Sequence, residues 1–317
     1  MNGTKLMEQH FLPLKLSLIP ETMITATKPT PTSTLERDPA VQAHFHAAAE
    51  LYHRWSPEGH LHFGYWEPGM CALRRGPMLA RLVDRVMAEI HPMPGDLLAD
   101  LGCGYGAAAR HVAKTHPGTW IDGFTVVPEQ VQEGRVRILA DGLADRVDLH
   151  VRDFRDTGLG TGSVDGAFAL ESMCYASGPD KRDLVEELHR ILRPGGRFAV
   201  TDGFVMKPLR KNGLRDRLLG EVCSGWAVPE FTQLHPFLRA LKETGFTNVA
   251  VTDLSLRVAP SAFHAPHLVV RCLLDRWTAG GSFDTGERAH LRSCLLGLLL
   301  GTLRGTFRYL LISGTRT

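Results

Sequence analysis

The feature that most constrains the fold of this chain is a short apolar run that ends in a glycine-rich turn. Residues 97–101 form the run, and residues 102–106 read Gly-Cys-Gly-Tyr-Gly. Glycine has no Cβ atom, so the backbone of such a turn can bend sharply and approach a ligand closely. Residues 107–115 have the pattern of a helix. The segment therefore predicts a strand, a ligand-binding turn and a helix in succession.

Strands and helices alternate along most of the chain. The predicted strands are residues 97–101, 120–125, 147–151, 166–170, 197–201, 248–257 and 307–313. The predicted helices are residues 41–55, 77–90, 107–115, 128–140, 180–192, 233–244, 261–278 and 285–303. Such alternation is typical of a parallel sheet with crossover connections. We therefore predict an α/β, doubly wound fold with seven strands, N-terminal helices and a helical insertion before the last strand.

Composition narrows the class of protein. Of 317 residues, 44% are hydrophobic, and 36 Lys and Arg nearly balance 34 Asp and Glu, which argues against a nucleic-acid partner. Six scattered cysteines form no Cys-x-x-Cys pair, so we predict neither a zinc site nor disulfides, and a cytoplasmic location fits best. The longest apolar run, residues 295–300, is too short to span a membrane. Peripheral membrane contact and a homo-oligomer both stay open.

The glycine turn alone fits two cofactor classes. Gly102-x-Gly104-x-x-Ala107 also matches the dinucleotide fingerprint of oxidoreductases. A nicotinamide enzyme would be expected to place Asp or Glu about 20 residues further on, at the end of the second strand. Here that strand ends in Gly-Phe-Thr-Val-Val-Pro-Glu-Gln, residues 123–130. The missing carboxylate at the strand end disfavours the oxidoreductase.

The acidic residue before the turn points to the other class. Asp100 precedes the first glycine by two positions, and the run Asp-Leu-Gly-Cys-Gly-Tyr-Gly resembles motif I of class I S-adenosylmethionine (SAM) dependent methyltransferases. The resemblance implies that the turn faces the methionine moiety of SAM and that Asp100 helps to fix it. It also implies a Rossmann-like methyltransferase sheet. The cofactor-binding residues expected here are Asp100, Gly102, Cys103, Gly104 and Gly106.

Residues 123–130 resemble the GITLSPEQ segment of sterol, cyclopropane-fatty-acid and tocopherol methyltransferases. By that resemblance Thr125 and Gln130 meet the ribose of SAM, although Val127 replaces the usual Ser. Further on, Asp153 and Phe154 resemble the step at which the Asp side chain accepts a hydrogen bond from the adenine amino group. The residue after it offers its backbone to the adenine ring.

Residues 163–173 match the pattern SFDxxxxxES, which places Glu171 at the carboxyl end of the sheet, where doubly wound folds bind ligands. Relatives often continue as ESxxH, but Tyr175 occupies the His position. Glu171 could accept a proton, as methylation of carbon requires, or it could be a structural group near the methionine amine. We assign candidate catalytic roles to Glu171, to Tyr175, and to Tyr52 on the first predicted helix. Glu171 is also a candidate cofactor ligand.

Two flanking segments suggest a subgroup. Residues 60–67 resemble the HxGYW segment of tocopherol-type methyltransferases, whose N-terminal cap closes over SAM, so we include Tyr65 among the cofactor-binding residues. Residues 252–260 resemble the DWSxxVAP segment of γ-tocopherol methyltransferases. His60 and His62 lie close together, but no carboxylate or Cys cluster stands at ligand spacing, so we predict no metal site.

These motifs divide the chain into parts. Residues 1–38 mix Pro, Thr, Lys and Met without periodicity, and we predict a disordered N-terminal extension. Residues 39–317 are predicted to be one SAM-dependent methyltransferase domain. Within it, residues 39–90 are the N-terminal cap helices, residues 96–204 the SAM-binding core, and residues 205–317 the acceptor-side helices and last strands.

The function predicted is SAM-dependent methyl transfer to a small lipophilic acceptor, such as an isoprenoid or a prenylated or aromatic natural product, with carbon favoured as the methylated atom. Side chains expected to line the acceptor site are Phe204, Trp226, Phe231, Phe263, Leu268 and Trp277. One alternative is a prenyl diphosphate C-methyltransferase that uses Mg²⁺ and Glu171 as base, although no compact basic cluster is evident. Others are an N- or O-methyltransferase of a secondary metabolite and a SAM-binding scaffold without turnover.

Overall fold

The structure, a computed structural model, describes residues 39–317. The predicted disordered extension, residues 1–38, lies outside the described residues. The strands are β1 (Leu97–Leu101), β2 (Trp120–Thr125), β3 (Val147–Val151), β4 (Val164–Leu170), β5 (Leu192–Val205), β6 (Thr232–Gln233), β7 (Phe246–Asp253) and β8 (Phe307–Arg316). The helices are α1 (Pro39–Ala47), α2 (Ala49–Trp55), α3 (Arg75–Ile90), α4 (Ala107–Thr115), α5 (Pro128–Ala140), α6 (Arg182–Ile191), α7 (Leu214–Gly225), α8 (Leu234–Thr244), α9 (Ser255–Ala262), α10 (His264–Thr278) and α11 (Thr285–Thr302).

One mixed sheet organises the described part of the chain. Its order is β3-β2-β1-β4-β5-β8-β7, and the two-residue β6 pairs with β5. Strands β1 to β5 run parallel, and β8 is antiparallel to both β5 and β7. The predicted doubly wound fold is confirmed, and β6 is an addition to the seven predicted strands. Because the strand order reverses between β1 and β4, a crevice for ligands is expected at the carboxyl ends of these two strands.

Buried side chains alternate between the two faces of the sheet. On β1, Leu98 joins one apolar cluster with α3, α4 and α5, whereas Ala99 and Leu101 join the other with α6 and α8. The alternation follows from the two-residue period of a strand. On α3, Met78, Leu79, Leu82, Val83 and Val86 lie on one face and are fully buried, as their helical spacing predicts. The core therefore has two large apolar layers, one on each face of the sheet, and a smaller third cluster lies around Val222 and Phe231.

Three sequence predictions of local structure were wrong. The first predicted helix is two helices, α1 and α2, with Ala48 between them. The predicted strand at residues 248–257 ends at Asp253, and Ser255 begins α9 instead. Asp253 Oδ1 accepts a hydrogen bond from Ser255 N at 2.9 Å, and this local turn ends the strand. Helix α7 was missed because it buries just Val222 and Gly225 and so lacks a strong apolar period.

Among residues 39–317, no helix is both long enough and apolar enough to cross a membrane.

A buried lysine, Lys181, stabilises the turn that follows β4. Lys181 is fully buried, and its Nζ donates hydrogen bonds to the carbonyl oxygens of Cys174, Ala176 and Glu230 at 3.2, 2.8 and 2.8 Å. An ammonium has three protons, so this arrangement satisfies it completely. Lys181 thus connects the turn after β4 to the loop that precedes β6.

We expect Lys181→Met to lower the free energy of unfolding by about 3 kcal/mol, because it removes charged hydrogen bonds and leaves buried carbonyls without partners. Urea unfolding followed by circular dichroism measures the change. Lys242→Met, at an exposed position of α8, is the matched control and should change stability by less than about 0.5 kcal/mol. Equal stabilities of the two variants would contradict this account of Lys181.

Candidate active site

The glycine turn after β1 packs directly against the end of β4. Gly102, Gly104 and Gly106 have φ angles of 87°, 53° and 69°, which favour glycine. A Cβ atom at Gly102 would lie 2.2 Å from Ser172 Cβ, so no other residue fits there. The backbone N–H groups of Gly102 and Cys103 both donate to the carbonyl oxygen of Phe124 at 2.9 Å. The ends of β1, β2 and β4 are therefore held together at one point.

A cavity opens beside this turn. Its empty space is about 1500 Å³, part of it open to solvent, and Gly102 and Gly104 contribute to its wall. Gly102, Thr125 and Glu171, which follow or end β1, β2 and β4, all line it. The cavity therefore lies at the carboxyl ends of these strands, where doubly wound folds bind ligands.

The cofactor end of the cavity contains Thr125, Gln130, Asp153 and Phe154. Thr125 Oγ1 donates to Gln130 Oε1 at 2.8 Å, which fixes the amide. Gln130 Nε2 is buried and has no hydrogen-bond partner among residues 39–317. Because buried amide N–H groups are nearly always paired, this donor is available to a ligand oxygen, as the predicted ribose contact requires.

Asp153 and Asp100 differ in their pairing. The Asp153 carboxylate accepts hydrogen bonds from Arg155 at 2.7 to 3.0 Å and also lines the cavity. Asp100 is buried behind the glycine turn, and its Oδ2 has no partner within the described residues. Burial raises the pKa of Asp100 to about 8. A buried carboxyl with one unpaired oxygen next to the turn fits a cationic ligand such as the methionine end of SAM.

Four of the predicted cofactor residues do not line the cavity: Tyr65, Asp100, Cys103 and Gly106. Cys103 is buried. Gly106 is the N-cap of α4, and a Cβ there would lie 2.9 Å from Leu149 Cδ1. Tyr65 N donates to Met78 O at 2.8 Å, and its ring packs against the core. A direct contact of these four residues with SAM stays a prediction.

Glu171 lies at the centre of the cavity wall. It has a φ angle of 53°, an uncommon conformation for a residue with a side chain. Its Oε1 accepts hydrogen bonds from Phe63 N at 2.6 Å and from Tyr309 Oη at 2.7 Å. Burial raises the pKa of Glu171 to about 8, against the lowering effect of these two hydrogen bonds, and nearby Asp202 raises it further. A cation bound next to this carboxyl would favour its ionised form.

Tyr52 and Tyr175 line the cavity as well, but both hydroxyls have protein partners. Tyr175 Oη donates to the carbonyl oxygen of Trp226 at 3.1 Å. Tyr52 Oη pairs with His44 Nε2 at 3.3 Å. Burial raises the pKa of both phenols well above its ordinary value. The two tyrosines form part of the wall, and their catalytic roles stay predictions.

The His60 and His62 side chains pair with each other. His60 Nδ1 lies 3.0 Å from His62 Nε2, and His62 Nδ1 lies 2.7 Å from the carbonyl oxygen of Phe63. Burial lowers the pKa of both rings. In the described part of the chain, no group of three or more His, Cys, Asp or Glu residues is placed to hold a metal ion.

The expected acceptor lining was partly right. Trp226, Phe231 and Leu268 line the cavity. Phe204 is instead fully buried in the core. Phe263 and Trp277 were wrong, since they are 69% and 78% exposed and lie outside the cavity. The face of α10 that reaches the cavity carries Ala265, Leu268, Val269 and Cys272, which a helical period separates from the exposed Val270, Leu273, Leu274 and Trp277.

Sequence reasoning missed three polar residues of this site. Tyr309 comes from β8 and holds Glu171, Asp202 lines the cavity from β5, and His290 lines it from α11. Asp202 accepts hydrogen bonds from Cys174 N at 2.9 Å and Gly203 N at 2.7 Å. Their signal in the sequence was weak, because each stands alone in an apolar strand or helix.

Comparisons with known proteins agree with this geometry. Residues 98–196 match the family model of a methyltransferase domain. The chain is 29% identical over 202 residues to "O-methyltransferase resE" of Aspergillus sclerotiorum, with 64% of this chain and 74% of that protein covered. It is 29% identical over 239 residues to the 27-O-demethylrifamycin SV methyltransferase of Amycolatopsis mediterranei (strain S699), with 74% and 81% covered. It is 26% identical over 213 residues to a probable chloroplastic tocopherol O-methyltransferase of Oryza sativa subsp. japonica, with 63% and 58% covered.

Solved structures share the fold. The [4+2]-cyclase SpnF superposes with a TM-score of 0.71 at 20% identity, with 92% of this chain and 99% of that chain covered. The geranyl diphosphate C-methyltransferase of Streptomyces coelicolor A3(2) superposes with a TM-score of 0.67 at 20% identity, with 91% and 100% covered.

Fold, turn and relatives together define the class: an enzyme of the class I, SAM-dependent methyltransferase type. The chain itself is a SAM-dependent methyltransferase: its residues 98–196 match the methyltransferase domain model, and a probable tocopherol O-methyltransferase is among its relatives. The recognition made from motif I is confirmed, and so is SAM as the cofactor.

The raised pKa of Glu171 predicts that SAM binding depends on pH. SAM carries a positive sulfonium, so it binds the ionised carboxylate better than the protonated acid, and binding should release a proton near pH 7. We expect affinity to increase by about tenfold from pH 6 to pH 9. Titration calorimetry in buffers of different ionisation enthalpy measures both the affinity for SAM and the number of protons released on binding.

Glu171→Gln is the control for this prediction. Its affinity for SAM should equal that of the parent protein at pH 6. Between pH 6 and pH 9 its affinity should increase much less than that of the parent protein. The titration of the amino group of SAM is common to both proteins, so it cancels in the comparison. The same pH dependence in both proteins would show that Glu171 is not the coupled group.

Proposed function

We propose that this enzyme transfers the methyl group of SAM to a small, lipophilic, uncharged acceptor, with carbon as the favoured methylated atom. The observation that carries the proposal is the composition of the cavity wall beyond Glu171. There the wall is built mainly from apolar side chains, namely Phe45, Trp226, Val228, Phe231, Leu268, Val269 and Leu291. Burying such surface against an apolar acceptor is the main source of its affinity.

The charged residues of the wall argue against an anionic acceptor. Among the described residues that line the cavity, these are the three carboxylic acids Asp153, Glu171 and Asp202. Asp153 is already paired with Arg155, and no Lys or Arg is among the described residues that line the cavity, so a diphosphate would lack the side chains that usually bind phosphate. We therefore prefer an isoprenoid or aromatic alcohol, phenol or hydrocarbon to a prenyl diphosphate, and we assign no role to Mg²⁺.

The chain's residues act on the reaction by position and charge. Bound SAM supplies a methyl group on a positively charged sulfur, which an acceptor atom attacks in line. The apolar wall excludes water and holds the acceptor, which reduces the cost of bringing the reactants together. The open Oε2 of Glu171 can accept the proton that a methylated carbon must lose, while Phe63 N and Tyr309 Oη hold Oε1.

Oxygen is the second candidate for the methylated atom. Several relatives of the chain are named as O-methyltransferases, which supports an acceptor with a hydroxyl group.

Isotopically labelled SAM tests the proposal directly. The enzyme is incubated with prenylated phenols, prenyl alcohols, amines and prenyl diphosphates, and label is followed by mass spectrometry. We expect label in an uncharged lipophilic compound, and NMR of the product identifies the methylated atom. Label in prenyl diphosphates alone would overturn the proposal.

Two variants separate cofactor binding from turnover. Asp100→Ala should weaken SAM binding by about tenfold to a hundredfold, because it removes a buried charged partner. Glu171→Gln should bind SAM normally at pH 6 and lower kcat, since an amide cannot accept the proton. Calorimetry and the labelled-methyl assay give the two readouts. Full activity of Glu171→Gln would rule out its role as proton acceptor.

A further inference from the structure

A cluster of polar side chains interrupts the apolar wall of the cavity, where Tyr52, His290 and Cys294 line it. His44 contacts the rings of Tyr52 and His290, and we call these four residues the histidine cluster. The His290 ring lies 5.1 Å from the Tyr52 ring and 5.3 Å from the His44 ring, centre to centre. Cys294 Sγ lies 3.6 Å from His290 Nε2. Three helices that are separate in sequence, α1, α2 and α11, bring the cluster together.

One atom of the cluster is unpaired. His290 is 6% exposed and lines the cavity, and its Nδ1 is buried without a hydrogen-bond partner among residues 39–317. Native proteins seldom leave a buried side-chain nitrogen unpaired. Of the cavity-lining residues described, just Gln130 and His290 have such an atom, and Gln130 lies at the cofactor end. His290 Nδ1 is therefore the unpaired buried nitrogen of the described cavity wall outside the cofactor end, and it is the candidate partner of an acceptor.

The charge state of the cluster limits what can bind. Burial, together with the nearby His44, lowers the pKa of His290 to about 3, so the imidazole is neutral at ordinary pH. Burial raises the pKa of Cys294 to about 11, so the thiol is neutral as well. A neutral imidazole attracts no anion. It offers one hydrogen bond, to a neutral polar group.

The hydrogen-bonding capacity of Nδ1 favours a hydroxyl group. If Nε2 carries the ring proton, Nδ1 is an acceptor; if Cys294 donates to Nε2, Nδ1 carries the proton and donates. A hydroxyl pairs with either form, because it both donates and accepts. A hydrocarbon would leave Nδ1 unpaired, as it is in the free protein, whereas a hydroxyl would gain a hydrogen bond there and so bind more tightly.

We infer that His290 Nδ1 binds a hydroxyl group of the acceptor and so fixes its orientation in the apolar cavity. The acceptor class is then a lipophilic alcohol or phenol. His290 is a binding and specificity-determining residue, and the inference rests on the proposed function, because it assumes that the acceptor occupies this cavity. It holds whether carbon or oxygen is methylated.

Matched probes test the inference on the full chain saturated with S-adenosylhomocysteine. 4-Octylphenol and octylbenzene differ by a single hydroxyl group, and the fluorescence of Trp226, which lines the cavity, reports binding. We expect the phenol to bind about tenfold more tightly than the hydrocarbon. His290→Phe should remove this difference while octylbenzene binds as before.

Further variants and a direct signal complete the test. His290→Gln keeps a group that donates and accepts, so it should retain part of the preference. His267→Phe, at an exposed position of the neighbouring α10, should retain all of it. In protein labelled with ¹⁵N-histidine, the Nδ1 resonance of His290 should shift on addition of 4-octylphenol and not on addition of octylbenzene. Unchanged affinity of all variants for S-adenosylhomocysteine shows that they are folded.

Three results would overturn the inference: equal affinity of the parent protein for both probes, a preference for the phenol that persists in His290→Phe, or failure of both probes to bind. The labelled-SAM assay decides separately whether methyl transfer to an uncharged acceptor occurs. The inference can therefore fail while the proposed function stands.

Discussion

The contact between Gly102 and Ser172 is the constraint on which the rest of the site depends. A side chain at position 102 would collide with Ser172. The turn after β1 and the end of β4 can therefore pack together only if residue 102 is glycine. Ser172 Oγ also donates to the carbonyl oxygen of Leu101, and the turn hydrogen-bonds to the end of β2. Glu171, the neighbour of Ser172, is thereby placed next to the glycine turn. The candidate cofactor site and the part of the cavity next to Glu171 are therefore both positioned by this contact.

Distant parts of the chain meet at the Glu171 carboxyl. Phe63 is 108 residues before it and Tyr309 is 138 residues after it, and both donate to the same oxygen. The N-terminal cap and the last strand are thus connected through a side chain of the cofactor-binding core. Such long-range pairing favours a single orientation for a carboxyl whose backbone is in an uncommon conformation. It also leaves the other oxygen, which has no partner among the described residues, free for a ligand.

The electrostatics of the cavity suit a cationic methyl donor and a neutral acceptor. Burial raises the pKa values of Asp100, Glu171 and Asp202 to about 8, 8 and 6, so these groups hold their protons more tightly than in water. A sulfonium brought into the same low-dielectric space would compensate the cost of ionising them. Among the described residues, the apolar wall beyond these groups offers no charge that would offset the cost of burying an anion. This difference in charge supports the proposed division of the cavity into a cofactor end and an acceptor end.

Local sequence determined the sheet, the glycine turn and the cofactor end, because each depends on residues that are close together along the chain. The strands follow from a two-residue apolar period, and the turn follows from glycines at positive φ. The cofactor end follows from a carboxylate two positions before the first of these glycines. Motif spacing likewise identified Thr125, Gln130 and Glu171, which do line the cavity. The rest required the tertiary structure. Trp277 looks like a lining residue in sequence, but the rotation of α10 turns it outwards, and Phe263, just before that helix, is exposed as well. His290 and Tyr309 look like isolated core residues. The packing of α11 brings His290 to the cavity, and the packing of β8 brings the Tyr309 hydroxyl to Glu171. A sequence specifies which residues are apolar or polar, whereas their neighbours in space depend on how helices and strands far apart in the chain pack together.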